Sequence, residues 1–159
     1  MSHTYSSYHP APEWVIEPLI EVMSGADRSE LLLLSQDIEG GGIAALRTAL
    51  QVAAYSFSHT VDGTPVALGG ISPPLPSLNG MHCVWMVAST PLLERVPKAF
   101  LRESRNELAA MRLLSPTGMR AMVDARWRKS VRWLKWLGFK EQGRFEYKGR
   151  QGLILERLP

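Results

Sequence analysis

The sequence predicts a mixed α/β domain in which helices cover a sheet. Three stretches carry that expectation. Asp62-Gly63 lies between two strand-like runs and is a strong two-residue hairpin signal. Met81 to Ala88, M-H-C-V-W-M-V-A, is a continuous apolar run of strand length, followed by the longest helical pattern in the chain. Ala121 to Phe139 reads as a buried strand, a short basic turn, an amphipathic helix and a Gly-Phe stop.

The chain has 159 residues, 45% apolar and 21% charged, which fits one soluble globular domain. No apolar run is long enough to span a bilayer, and the N-terminus has no basic segment followed by an apolar one. A single cysteine, Cys83, excludes an internal disulfide and fits a reducing compartment. The net charge of +3 conceals an asymmetry. Residues 1–94 hold two basic and nine acidic residues, a net of −7; residues 95–159 hold sixteen basic and six acidic, a net of +10. Such a split suggests either a face that meets an anionic partner or a solvated basic surface.

Residues 1–12 are polar, contain Pro10 and Pro12, and are expected to form a flexible arm; residues 13–159 are expected to form the domain. Trp14 to Ile16 suits a first strand, and Glu17 to Met23 and Arg28 to Leu34 suit short helices. Gly40-Gly41-Gly42 is read as a joint, because no phosphate-binding glycine signature surrounds it. Ile43 to Ala54 then suits a helix with Ile43, Leu46, Leu50 and Ala54 on one stripe. Tyr55 to Thr60 and Pro65 to Ile71 are the hairpin strands, and Gly69-Gly70 marks a bulge or a close backbone approach. Met81 to Ala88 is expected to be a central strand covered on both faces. Val96 to Leu114 is the long helix, with Phe100, Leu101, Leu108, Met111 and Leu114 inward and Glu107 outward. Met119 to Ala125 is a strand, Arg128 to Leu137 a helix stopped by Gly138, and Glu141 to Tyr147 and Leu153 to Leu158 a closing strand pair.

This order, with D-G-T-P-V-A-L-G-G, M-H-C-V-W-M-V-A and the terminal L-G-F, resembles the GCN5-related N-acetyltransferase (GNAT) fold over residues 13–159. The resemblance implies a mostly antiparallel central sheet flanked by helices, in the order α-α-β-β-β-α-β-α-β. G-T-P-V-A-L-G-G, V-W-M-V-A-S-T and V-R-W-L-K-W-L-G-F also follow the order seen in the internal virion protein A group of T7-like podoviruses. That narrower resemblance implies a bacteriophage protein in the host cytoplasm or virion, with a virion or host protein as partner.

The wider resemblance implies acetyl-CoA as co-substrate. Trp85, Met86, Val87 and Ala88 would lie along the pantetheine arm, and Ser89 to Pro97 would form the pyrophosphate loop. That loop departs from the family pattern. It has no glycine, it has prolines at 91 and 97, and it carries Glu94; Arg95 and Lys98 are left as cofactor-binding candidates. Leu134 stands where the family commonly has its acid tyrosine, leaving Tyr147, His82 and Cys83 as catalytic candidates. These departures favour an interaction or assembly role with weak or absent catalysis over an active N-acetyltransferase. A third reading is a nucleic-acid-associated protein, because Trp127, Trp133 and Trp136 stand among Arg126, Arg128, Lys129, Arg132 and Lys135. Histidine and cysteine show no metal-ligand spacing.

Overall fold

A computed structural model of the chain describes residues 2–31 and 42–159. Seven strands are described: β1 (Tyr5–Tyr8), β2 (Tyr55–Val61), β3 (Thr64–Ile71), β4 (His82–Ala88), β5 (Met119–Asp124), β6 (Lys140–Tyr147) and β7 (Arg150–Arg157). The helices are α1 (Ile16–Val22), α2 (Gly25–Glu30), α3 (Ile43–Val52), α4 (Thr90–Leu93), α5 (Pro97–Leu114) and α6 (Arg128–Trp136). The strands form one sheet in the order β1-β2-β3-β4-β5-β7-β6. All pairings are antiparallel except β4 with β5.

Helices cover both faces. On one face, α1 to α3 pack Val15, Ile16, Leu19, Leu31 and Leu46 against Leu68, Trp85 and Val87. On the other, α5 and α6 pack Leu108, Met111, Leu134 and Leu137 against Phe57, Ile71, Ala121, Val123 and Leu155. Alternate residues of β4 enter the two cores, as its unbroken apolar run requires. The hairpin turns at Asp62-Gly63, both with positive φ, and Gly138 closes α6 at φ 98°. The close backbone approach expected at Gly69-Gly70 is present. A Cβ at Gly69 would lie 2.8 Å from the Trp85 carbonyl oxygen, and one at Gly70 would overlap the Tyr55 carbonyl oxygen. The register shift of the hairpin lies elsewhere, between His59 and Thr60.

Several expectations are corrected. The first twelve residues contribute β1, an edge strand paired to β2, rather than a loose arm. Trp14 to Ile16 is the entry to α1, not a strand. A short helix, α4, follows β4. Glu107 does not face out: it is 3% exposed, while Leu101 and Leu114 are the exposed members of the predicted stripe. Polar partners from the sheet draw Glu107 inward (see Discussion). The Gly40-Gly41 part of the joint and Leu32 to Leu34 lie outside the described residues. Among the described residues no helix is long and apolar enough to cross a membrane.

Candidate functional site

The parallel ladder between β4 and β5 is short. It pairs His82 with Met119, Cys83 with Arg120 and Val84 with Ala121, and then stops. Beyond Val84 the strands diverge, and the β5-facing backbone edge of β4 is left without a ladder partner. The divergence opens a cleft of about 170 Å³. Its walls come from Cys83 to Met86 on β4, Ala121 to Val123 on β5, and Ser130, Trp133 and Leu134 on α6, with Glu30 at the end of α2.

A second cavity of about 280 Å³ shares Glu30, Met86, Ser130 and Trp133 with the first and extends to the region after β4. Its aromatic wall is built by Phe100 and Trp133, stacked at 5.7 Å. The Trp133 indole N–H donates to Ser104 Oγ at 3.3 Å, which fixes the ring. The polar wall carries three carboxylates, Asp27, Glu30 and Glu94, among the described residues. Among the described residues Lys129 is the only cation of the wall, and its ammonium is held by Glu94 at 2.6 Å.

Asp27 is the best-anchored of these carboxylates. Ser24 and Asp27 form a capping box at the start of α2, with both reciprocal bonds at 3.0 Å. The same Asp27 carboxylate accepts the Thr90 backbone N–H at 2.9 Å and the Thr90 hydroxyl. The buried Ser89 adds a second stitch, donating its hydroxyl to the Val22 carbonyl at 2.7 Å. The turn after β4 is therefore tied to α1 and α2 by side chains of this chain. Amides further along are also spent: those of Leu93, Glu94, Arg95 and Val96 bond to carbonyls of residues 89–93. Pro91 and Pro97 have no N–H to offer.

Glu30 is different. Ser130 Oγ donates to it at 3.2 Å, and no cation lies within salt-bridge distance among the described residues. Burial pushes its carboxyl up to about 7, against the smaller lowering effect of the Ser130 bond. It is a carboxylate poised near neutrality on the wall of an apolar cleft.

The sequence-predicted residues fall in several places. Trp85 and Met86 line the cleft, and Met86 and Ala88 line the second cavity. Val87 points into the opposite core and is 2% exposed. Arg95 and Lys98 are exposed and line neither cavity. Cys83 is in the cleft wall, and burial pushes its thiol pKa up, away from the thiolate. His82 is buried at the first pair of the ladder, with Nδ1 at 2.6 Å from the Ser72 carbonyl oxygen. Tyr147 donates its hydroxyl to Asp124; burial and that carboxylate push the phenol up to about 12. Neither His82 nor Tyr147 lines the cleft. Leu134 does line it, and its side chain cannot transfer a proton. Asp27 and Glu30 were not singled out in the sequence. The S-x-x-D spacing of Ser24 and Asp27 is a capping signature, and it was the available signal.

No family model and no curated protein sequence matches the chain. Solved structures do match. The GNAT domain of S. lividans PAT superposes with a TM-score of 0.70, at 13% identity, over 96% of this chain and 89% of that one. The chain has the GNAT fold. The ribosomal-protein-S5-alanine acetyltransferase of Vibrio fischeri matches with a TM-score of 0.67, at 11% identity, over 97% and 92% of the two chains. A Salmonella typhimurium protein solved with its cofactor acetyl-CoA matches with a TM-score of 0.62, at 11% identity, over 98% and 93%.

The fit of acetyl-CoA to these residues is uneven. The unpaired edge of β4 suits an extended pantetheine arm, which can bond to it as an added strand would. The turn directly after β4 suits a diphosphate poorly. The Thr90 amide is taken by Asp27, the Leu93 to Val96 amides are internally bonded, and among the described residues carboxylates outnumber cations on the wall. The open edge of β4 fits the group better than the Thr90 turn does.

Proposed function

We propose that this GNAT-fold protein serves as a binding or assembly component, with weak or absent acyl transfer. The observation that carries the reading is the Asp27 carboxylate on the Thr90 amide and hydroxyl, an internal anion where a diphosphate needs donors. Leu134 at the cleft wall supports the same reading from the chemical side. The order of the G-T-P-V-A-L-G-G, V-W-M-V-A-S-T and V-R-W-L-K-W-L-G-F stretches favours a phage virion or host protein as the partner, and the host cytoplasm or the virion as the place of action. Titration calorimetry with acetyl-CoA tests the reading: no heat is expected at millimolar ligand, and binding in the micromolar range would overturn it.

Glu30 favours a second reading, an acyltransferase acting on a protein or small amine. A carboxylate with a pKa of about 7 on the cleft wall is suited to take a proton from an ammonium group. If that reading holds, the rate of acetylation of an amine acceptor rises as pH passes through about 7, and Glu30→Gln abolishes the rise. A flat pH profile in the wild type, or an unchanged profile in the variant, eliminates it.

A further inference from the structure

We propose that the outer face of α6 is a docking surface for single-stranded nucleic acid, held through its phosphates. The proposal is independent of whether the cleft takes acyl-CoA. It rests on where the folded chain places its cations. Arg128, Arg132 and Lys135 follow one another at helical spacing on the solvent side of α6, opposite the buried Leu134 and Leu137. Their stripe runs for about 10 Å at 1.5 Å per residue. Among the described residues none of the three lies within 4.0 Å of a carboxylate oxygen, and α6 contains no acidic residue.

The arrangement works against the helix that carries it. Arg128 and Lys129 occupy the first turn, where the positive end of the helix dipole disfavours cations. Arg128 with Arg132 is an i,i+4 pair of like charges, and Arg132 with Lys135 an i,i+3 pair; each such pair opposes helix formation. Among the described residues, Lys129 alone of the four cations of α6 has a carboxylate partner, Glu94. A helix that concentrates uncompensated positive charge on its exposed face gains most from a polyanion.

Two features favour nucleic acid over an acidic protein. The cations are mainly arginine, whose planar fork fits a phosphate bidentately. Beside the stripe, Trp136 is 43% exposed, with the Arg105 guanidinium 4.2 Å from its ring centroid. A partly exposed indole next to cations offers a stacking surface to a base and has no counterpart need in an acidic peptide.

The test is fluorescence anisotropy of the full chain with a labelled oligothymidylate across a salt series. Affinity should fall steeply as salt rises. The variant R128E/R132E/K135E should lower the slope of log K against log salt by about 2, since each phosphate contact on a single strand contributes about 0.7. Arg128→Glu relieves the first turn and Lys135→Glu burdens the last to a similar degree, so thermal stability should change little while binding is lost. Arg132→Glu should weaken binding far more than Arg47→Glu, an equal charge change on α3 across the sheet. The proposal is overturned if the oligonucleotide does not bind at low salt, or if R47E and R132E weaken it equally. Equal affinity for polyglutamate would assign the face to acidic protein instead. Low-salt self-association abolished by R132E would assign it to the acidic half of a second copy.

Discussion

Glu107→Ala should cost about 3–5 kcal/mol of folding stability, the range for breaking a buried ionic cluster by removing one partner. Glu107 lies on α5 at 3% exposure. Its Oε1 is 2.8 Å from both His9 Nε2 and His59 Nε2, and its Oε2 accepts the Tyr55 hydroxyl at 2.6 Å. His59 Nδ1 in turn meets the Tyr5 hydroxyl at 2.6 Å. One carboxylate thus ties β1, the segment after it, β2 and α5 together. Alanine would leave the buried His59 and the half-buried Tyr55 without this acceptor. Thermal denaturation measures the effect, as a fall of roughly 10 °C in the midpoint for a chain of this size. A loss below about 1 kcal/mol would mean that the cluster is filled by water at little cost.

The same residue sets an acid limit on stability. Burial raises the Glu107 carboxyl, but the bonds from His59, Tyr55 and His9 outweigh it, and the net position is below the ordinary carboxylate value. A carboxylate depressed in the fold contributes fully above its unfolded-state pKa and loses that contribution as pH falls through the folded value. Glu107→Gln should flatten this acid-side slope while keeping one acceptor oxygen in place.

Gly70→Ala should be comparably damaging, about 3 kcal/mol, at the upper end of what overpacking usually costs. The added methyl would overlap the Tyr55 carbonyl oxygen and lie 3.2 Å from the Ser56 Cα, both backbone atoms of the paired strand. Backbone cannot rotate away as a side chain can. Gly70 also pairs with Trp85 of β4, so the damage should reach the cleft wall. Gly25→Ala is the matched comparison. Nothing lies within 4 Å of its Cβ position, and in the first turn of α2 the change should be neutral or stabilise by about 0.5 kcal/mol. Equal midpoints for the two variants would refute the close-approach reading of Gly70.

The fold was legible where one physical signal dominated. The unbroken apolar run at β4, the Asp62-Gly63 turn and the glycine stop after α6 each have a local cause, and each is where it was expected. The strand β1 was not legible, because what holds it is distant in sequence. His3 Nδ1 meets Asp62 at 2.8 Å, Tyr5 meets His59, and His9 meets Glu107, 98 residues away. A polar stretch with two prolines reads as loose unless those partners are known. Glu107 was misplaced for the same reason: a charge at the edge of a helical stripe is assigned to solvent, and only tertiary partners reverse that. Leu134 belongs to the apolar stripe of α6, and its place on the cleft wall follows from the packing of α6 against β4 and β5. Asp27 and Glu30 belong to α2, and nothing in the sequence says that this helix is brought beside the turn after β4.

The three-pair ladder between β4 and β5 has a mechanical meaning. It divides the sheet into two plates, one of four strands and one of three, that share a short common edge. Where the ladder stops decides how wide the plates gape. Two more pairs would zip the aperture shut without any plug, and one fewer would leave the plates joined by little backbone. The aperture is therefore a property of ladder length, spanned near its rim by the Glu30–Ser130 bond, and evolution can tune it one residue pair at a time.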